Sequence, residues 1–389
     1  MHKRLFPLAL ATFAVGTDGF VIAGLLPSIA EDLNVSVPAA GQLVTAFALT
    51  LAIAAPVFGW ATSSMDRRKA LMIALAVFTI GNVATALGTS YAAVMTARVI
   101  TAAGAGIITS TASSAAAVVS PPERRGSALA FVLGGLTLSS AIGLPLGTLI
   151  GRSDWHVTLW AVAGLGVVAA LGVAFALPKI MLPATTFRAR LQPLKERWVL
   201  GTLAVTTLAL TGTYLLYTYV GAALEGTIDG SETTLTWVLF VYGLGVLGGN
   251  LLAGRLSDHY PAERLLFGAL VVFIIVLLVS RPAIETLGTT FVWAAVWGVL
   301  VGIPSVLQQH RLVAHAPAAT SVLLGLNSSA IYLGVALGGA LGGLFQGWIS
   351  PVWLGIPAAG VTLLAFLLTL ATAQSPKRGA VEEPSLATN

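Results

Sequence analysis

Long apolar runs, separated by short polar breaks, make up nearly the whole chain. Crossing a bilayer takes about 20 mainly apolar residues. Twelve stretches qualify, near 5–27, 38–62, 70–89, 91–119, 127–151, 157–177, 198–224, 233–256, 265–281, 286–309, 319–344 and 351–372. Leucine, alanine, valine and glycine dominate them. Within lipid an unclosed segment satisfies its own backbone only as a helix. The expected fold class is therefore all-α and integral to the membrane, with twelve transmembrane helices.

Composition agrees. Of 389 residues 57% are hydrophobic and only 9% charged, with a mean hydropathy of +0.91. A soluble domain carries about 25% charged residues, so a water-facing surface is excluded. The net charge of +5 does not point to nucleic acid, because the basic residues sit in short loops where an anionic leaflet attracts them. Cysteine is absent, which removes disulfides and thiolate chemistry. His2, Lys3 and Arg4 precede the first apolar run, but no small-residue cleavage site closes it. It reads as an uncleaved first span.

Basic residues set the orientation. With the N-terminus inside, seventeen lysines and arginines face the cytoplasm and only Arg152 and Arg281 face outward, while Arg98 lies within a span. Both termini are then cytoplasmic. Pro178 to Arg197, basic with Phe187, Leu191 and Leu194 among its charges, reads as an amphipathic surface linker. It separates a bundle over 1–177 from one over 198–372, and residues 373–389 form a polar, disordered tail.

The halves repeat. A shift of 195 residues, chosen to place Gly59 on Gly254, also brings Pro122 onto Pro317, Gly143 onto Gly338 and Gly147 onto Gly342 without a gap. Two six-span halves in the same orientation imply an axis along the membrane normal.

Several stretches resemble one family. They are Gly16-Thr17-Asp18-Gly19-Phe20 with Gly24-Leu25-Leu26-Pro27, then Pro121 to Gly126, then Gly143-Leu144-Pro145-Leu146-Gly147 continuing to Gly151. Gly249-Asn250 with Gly254-Arg255-Leu256-Ser257-Asp258 completes the set. Together they are similar to the twelve-span drug–proton antiporters of the major facilitator superfamily, in the sugar-efflux and chloramphenicol-resistance branch. The resemblance covers residues 5–372 and implies two six-helix bundles that rock about a midplane cavity. It also implies roles for Gly59, Arg67 and Arg68, and for Gly254, Arg255 and Asp258, as the two cytoplasmic loop motifs. The first copy departs from the pattern. Ser63 stands at the usual aspartate and Asp66 at the usual glycine, so the salt-bridge latch of relatives is not carried over. In span four Arg98 is kept, but Thr101 replaces a common glutamine.

Asp18 leads the candidate chemistry. It is the only one of fifteen acidic residues placed well inside a span. A carboxyl withdrawn from water holds its proton more tightly, and intramembrane ionisable groups are functional by default. Asp18 is thus the expected proton-coupling group; the competing reading is a structural acid near the outer mouth. Arg98 has two readings: a counter-ion to Asp18 or a substrate anion, or a snorkelling side chain at the interface. Gly143, Gly147 and Gly151 recur every four residues and let another backbone approach, with Pro145 interrupting the same helix. They read as tight packing with a gating consequence, and Gly334, Gly338 and Gly342 look like the matching seam.

Tyr214, Tyr217, Asn327 and Tyr332 are the substrate-binding candidates. Rings with a polar tip suit weakly polar, ring-containing or hydroxylated molecules; an interfacial aromatic belt is the competing reading for Tyr217. Gln42, Asn82, Trp237 and Trp297 are further cavity candidates. No phosphate loop, zinc-protease pair or nucleophile elbow is present, so no enzyme activity, cofactor or metal is expected. Without an ATP site, a gradient must drive transport. The expected protein is a monomeric inner-membrane antiporter whose partners are protons, lipid and a small-molecule cargo. An importer or facilitator on the same scaffold, and a transport-dead sensor, are the alternatives.

Overall fold

Six of the spans begin where a polar side chain closes the first turn. Ser36, Asp66, Ser90, Asp154, Ser231 and Thr286 each accept from an amide two or three residues on, the usual satisfaction of a helix N-terminus. A computed structural model describes residues 2–121, 124–181, 188, 191–316 and 319–373. Much of the expected linker, the tail and the Pro122/Pro317 pair lie outside the described residues.

The described residues are almost wholly helical and contain no strand. The spans are α1 (His2–Asp32), α2 (Val37–Ala61), α3 (Arg67–Ala86), α4 (Tyr91–Val118), α5 (Arg125–Ile150) and α6 (Trp155–Ala176). The second set is α7 (Arg197–Ile228), α8 (Glu232–Ser257), α9 (Ala262–Leu278), α10 (Leu287–His315), α11 (Thr320–Phe345) and α12 (Gly355–Ala373). Eleven of these regions are long and apolar enough to cross a membrane. The twelfth expected span is the 17-residue α9, followed at once by a short turn, Ser280–Ala283.

The repeat is written into the helix starts. His2/Arg197, Val37/Glu232, Arg67/Ala262 and Arg125/Thr320 are each 195 residues apart. It extends to a backbone detail. Asn34 (φ 51°) and Asp229 (φ 48°) follow α1 and α7, and they are the two described non-glycine residues with positive φ. Asn and Asp are the side chains that best tolerate this left-handed conformation. At that offset Asp18 falls opposite Thr213 and Phe47 opposite Tyr242; α4 and α10 start 196 residues apart (Tyr91/Leu287), which sets Arg98 opposite Ala294, the neighbour of Trp293.

Two helices break internally. A π turn, Ser139–Gly143, splits α5 just before Pro145, so the Leu144 amide reaches back to the Ser139 carbonyl and the ring is accommodated. In α7 the turn at Thr218 and Tyr219 tightens, the Tyr219 amide bonding to Leu216 O at 3.1 Å.

Packing differs between the two ends of the bundle. Away from the termini, one continuous apolar cluster joins both halves: Leu26, Ile29 and Leu43 share it with Val220, Leu224 and Leu239. Toward the terminal face separate clusters appear, one around Leu8, Leu75 and Val173 and another around Val199, Leu312 and Leu323. Among the described residues the halves thus share one apolar core toward the face opposite the termini and keep separate clusters toward the terminal face.

Small residues make the seal. Gly243 of α8 lies on the backbone of Ser140 in α5, and Gly339 of α11 on Thr45 in α2. Thr236 donates to Thr148 at 3.2 Å, Ser28 donates to Glu232 at 3.0 Å, and Arg152 reaches the Thr233 hydroxyl. Each such bond is worth only about 0.6 kcal/mol in a membrane, so the seal is a sum of weak contacts that can be exchanged.

Candidate functional site

Asp18 sits midway along α1, and among the described residues it is the one buried carboxylate. Arg98, two turns into α4, is also fully buried. Its Nη1 donates to Asp18 Oδ1 at 2.6 Å, and Nη2 lies 3.5 Å from the Asp18 carbonyl. The guanidinium carbon stands 4.1 Å from the centre of the Phe47 ring of α2, a cation–π contact worth about 2 kcal/mol when dry. Three helices therefore converge on one ion pair. Arg98 reaches no interface, so snorkelling does not describe it. Asp18 Oδ2 and Arg98 Nε have no hydrogen-bond partner. A buried pair with spare donor and acceptor capacity is costly, and this is the feature that asks for a ligand or proton.

The glycine ladder supports this pair from behind. A side chain at Gly143 would meet Thr17, at Gly147 Val21 and Thr158, and at Gly151 Thr158 and Leu25. The ladder thus presses α5 onto Thr17, Val21 and Leu25 of α1, the first of which adjoins Asp18. Pro145 is buried in the same seam. The second half repeats the device: Gly334, Gly338 and Gly342 lie against Thr211, Tyr214 and Leu215 of α7.

Where the first half has charge, the second has rings. Tyr214 and Tyr217 of α7 meet edge to face at 5.2 Å, and Tyr217 lies 5.0 Å from Tyr242 and 6.1 Å from Trp297. Tyr242 is 4.8 Å from Trp297, which stacks on Trp293 at 4.7 Å. All five are buried, so Tyr217 belongs to no interfacial belt. Trp293 donates to Val276 O at 3.0 Å, but Tyr217 Oη and Trp297 Nε1 have no partner. Buried polar atoms of this kind are exceptional.

Asn327 of α11 is fully buried, accepting from Thr206 at 2.9 Å and leaving Nδ2 unpartnered. Half-buried Tyr332 touches the apolar clusters of both halves. Asn82 turns inward to Phe78 O, Gln42 bonds Pro38 O, and Trp237 faces outward. Tyr242 and Trp293 were not singled out by sequence. The repeat signals Tyr242, which it sets opposite Phe47; Trp293 falls one residue before the position opposite Arg98.

The loop motifs hold the terminal face. Arg67 caps the end of α2 through Thr62 O (3.2 Å) and Ser63 O (3.0 Å). Asp66 accepts from the amides of Arg68 and Ile180, and Arg68 reaches Ala174 O, tying this loop to the end of α6. Gly59 is buried beside it. In the second copy Gly254 faces open space, and Arg255 and Asp258 are exposed with no ion pair between them. Fastening there passes instead through Arg311, bonded to Gln308 at 2.8 Å and Glu263 at 3.4 Å.

A membrane bundle of two repeated halves is an architecture common among transporters. The family model of the Major Facilitator Superfamily matches residues 8–220 and again 202–388. The chain is 34% identical to the inner membrane transport protein YdhP of Escherichia coli (strain K12), across 96% of this chain and 97% of that protein. It is 32% identical to the uncharacterized MFS-type transporter YbcL of Bacillus subtilis (strain 168), across 94% and 95%. Against a chloramphenicol resistance protein of Streptomyces lividans it is 30% identical, across 97% and 99%. The chain belongs to the Major Facilitator Superfamily, whose members among these relatives are transporters.

Proposed function

We propose that this protein is a proton-coupled antiporter of the bacterial inner membrane, exporting a neutral or weakly polar, ring-bearing molecule by alternating access. Both termini are cytoplasmic in this reading, as the basic loops require. The described conformation then faces inward. The Asp18–Arg98 pair carries the proposal, because the carboxylate keeps one oxygen without a partner beside a permanently charged guanidinium.

Facing inward, Asp18 is ionised and paired, the centre is neutral, and cargo enters between the pair and the aromatic wall. Tyr217 Oη, Trp297 Nε1 and Asn327 Nδ2 offer hydrogen bonds to its oxygen atoms. Once the opposite face opens, protonation of Asp18 releases Arg98 and expels the cargo. The return stroke carries one positive charge inward. One charge across 100 mV is worth about 2.3 kcal/mol, enough for about a fiftyfold cargo gradient. The chloramphenicol resistance relative supports a neutral aryl cargo.

The test uses proteoliposomes with an imposed pH gradient and an internal pH-sensitive dye. Chloramphenicol, arabinose, a thiogalactoside, inosine and a lipophilic cation are added in turn to wild type and Asp18→Asn. Proton movement triggered by one compound in wild type alone supports the reading and names the cargo. Saturable uptake without proton movement in both proteins replaces it with a facilitator, and tight binding without flux replaces it with a sensor.

A further inference from the structure

The seam between α5 and α8 is not flush on its membrane side. Ile142, Leu146 and Leu149 of α5 and Thr233, Trp237 and Phe240 of α8 line a groove of about 230 Å³. On each helix these positions fall at i, i+4 and i+7, one face, so the groove runs about 10 Å along both helices. Its walls are almost wholly apolar, and Trp237 is 56% exposed. The helices are pinned beneath it by Gly243 against Ser140, and behind it by the Thr236–Thr148 bond.

Opposite charges flank the mouth. Arg152 follows α5 directly, is exposed, and touches the Thr233 hydroxyl. Glu232 opens α8, is exposed, and accepts only from Ser28 among the described residues. A guanidinium, a carboxylate and an apolar slot beneath them form a site for an amphiphile with a zwitterionic head.

We propose that the groove holds an acyl chain of a phospholipid with a primary-amine headgroup, its phosphate on Arg152 and its ammonium on Glu232. An acyl chain gains no hydrophobic energy on leaving bulk lipid for a protein groove. A resident lipid is therefore distinguished by its head, and charge-assisted bonds to phosphate and ammonium supply the difference. Because α5 belongs to one half and α8 to the other, an occupant bridges them and favours the conformation sealed at this face.

The full chain is reconstituted in phosphatidylcholine vesicles containing a small fraction of phosphatidylethanolamine with a diazirine on its acyl chain, then irradiated, and adducts are mapped by peptide mass. Adducts concentrate on 142–149 and 233–240, saturate, and are displaced by unlabelled phosphatidylethanolamine but not by phosphatidylglycerol. Arg152→Gln and Glu232→Gln each raise the half-saturating lipid fraction about tenfold, the worth of one charge-assisted bond. Leu146→Trp fills the groove and removes the adducts while circular dichroism and elution volume stay unchanged. Adducts spread over all lipid-facing helices, or equal displacement by both lipids, overturn the proposal.

Discussion

Arg98 engages only one carboxylate oxygen of Asp18: Nη1 meets Oδ1 at 2.6 Å, while Oδ2 has no hydrogen-bond partner. A structural ion pair in a membrane interior would be expected to use both oxygens, since each unmet lone pair adds to an already large desolvation cost. In the proposed cycle the spare oxygen is where a proton arrives without first dismantling the pair.

Asp18→Asn imitates the protonated carboxyl in shape. The variant is expected to fold and, because protonation is what expels the cargo in the proposed cycle, to bind it about tenfold more weakly than wild type, a loss of roughly 1.4 kcal/mol. It should abolish cargo-driven proton movement. Equilibrium binding of labelled cargo beside the dye assay separates the two; retained proton movement removes Asp18 from the coupling role.

Removing the cation alone strands a buried anion. Arg98→Gln should lower stability by about 3–5 kcal/mol, whereas Asp18→Asn combined with Arg98→Gln should recover most of that loss. Thermal unfolding in detergent reads the comparison. A double variant no more stable than Arg98→Gln shows that the charge is compensated elsewhere.

A leucine at Gly147 has no room against Val21 and Thr158. Gly147→Leu is expected to separate α5 from α1 and reduce transport below detection, while Gly134→Ala, whose new Cβ meets nothing within 4 Å, leaves transport within about twofold. Initial uptake rates on matched protein amounts decide it.

Tyr217→Phe deletes one unpartnered polar atom and keeps its ring, and Trp297→Phe deletes another while leaving a single six-membered ring in place of the indole. Each should raise KM for an oxygen-bearing ring cargo about fivefold, the loss of roughly 1 kcal/mol, with protons moved per cargo unchanged. An unchanged KM in both variants detaches the aromatic cluster from cargo recognition.

The hydroxyls of Thr148 and Thr236 lie 3.2 Å apart across the seam, so cysteines at these positions bring their sulfurs close to one another. Since the chain has no cysteine of its own, Thr148→Cys with Thr236→Cys forms a single defined bridge. Oxidation should stop transport and reduction restore it. Full transport in the oxidised, bridged protein would falsify opening of this seam during the cycle.

The spans were legible because bilayer thickness imposes a length and an apolar composition that few other constraints mimic. Asp18 was legible because acids within spans are rare. The glycines that suggested the 195-residue repeat were ambiguous singly, yet helix starts and the Asn34/Asp229 pair follow the same offset. The aromatic cluster was only partly legible. An intramembrane tyrosine or tryptophan serves equally at an interface or in a core, and sequence does not say which way Tyr242 or Trp293 turns. The tightened turn of α7 at Thr218 and Tyr219 was not legible either, since neither residue breaks a helix by itself.

The repeat also sets a division of labour. Where the first half has Asp18 and Phe47 the second has Thr213 and Tyr242, and the position of Arg98 holds Ala294, with Trp293 beside it. One ancestral shape thus carries two vocabularies, charge on one side and aromatic surface on the other. In the proposed cycle, aromatic substitutions in the second half therefore retune which molecule is recognised while the half that carries the proton stays untouched, so such a carrier changes its cargo without re-inventing its engine.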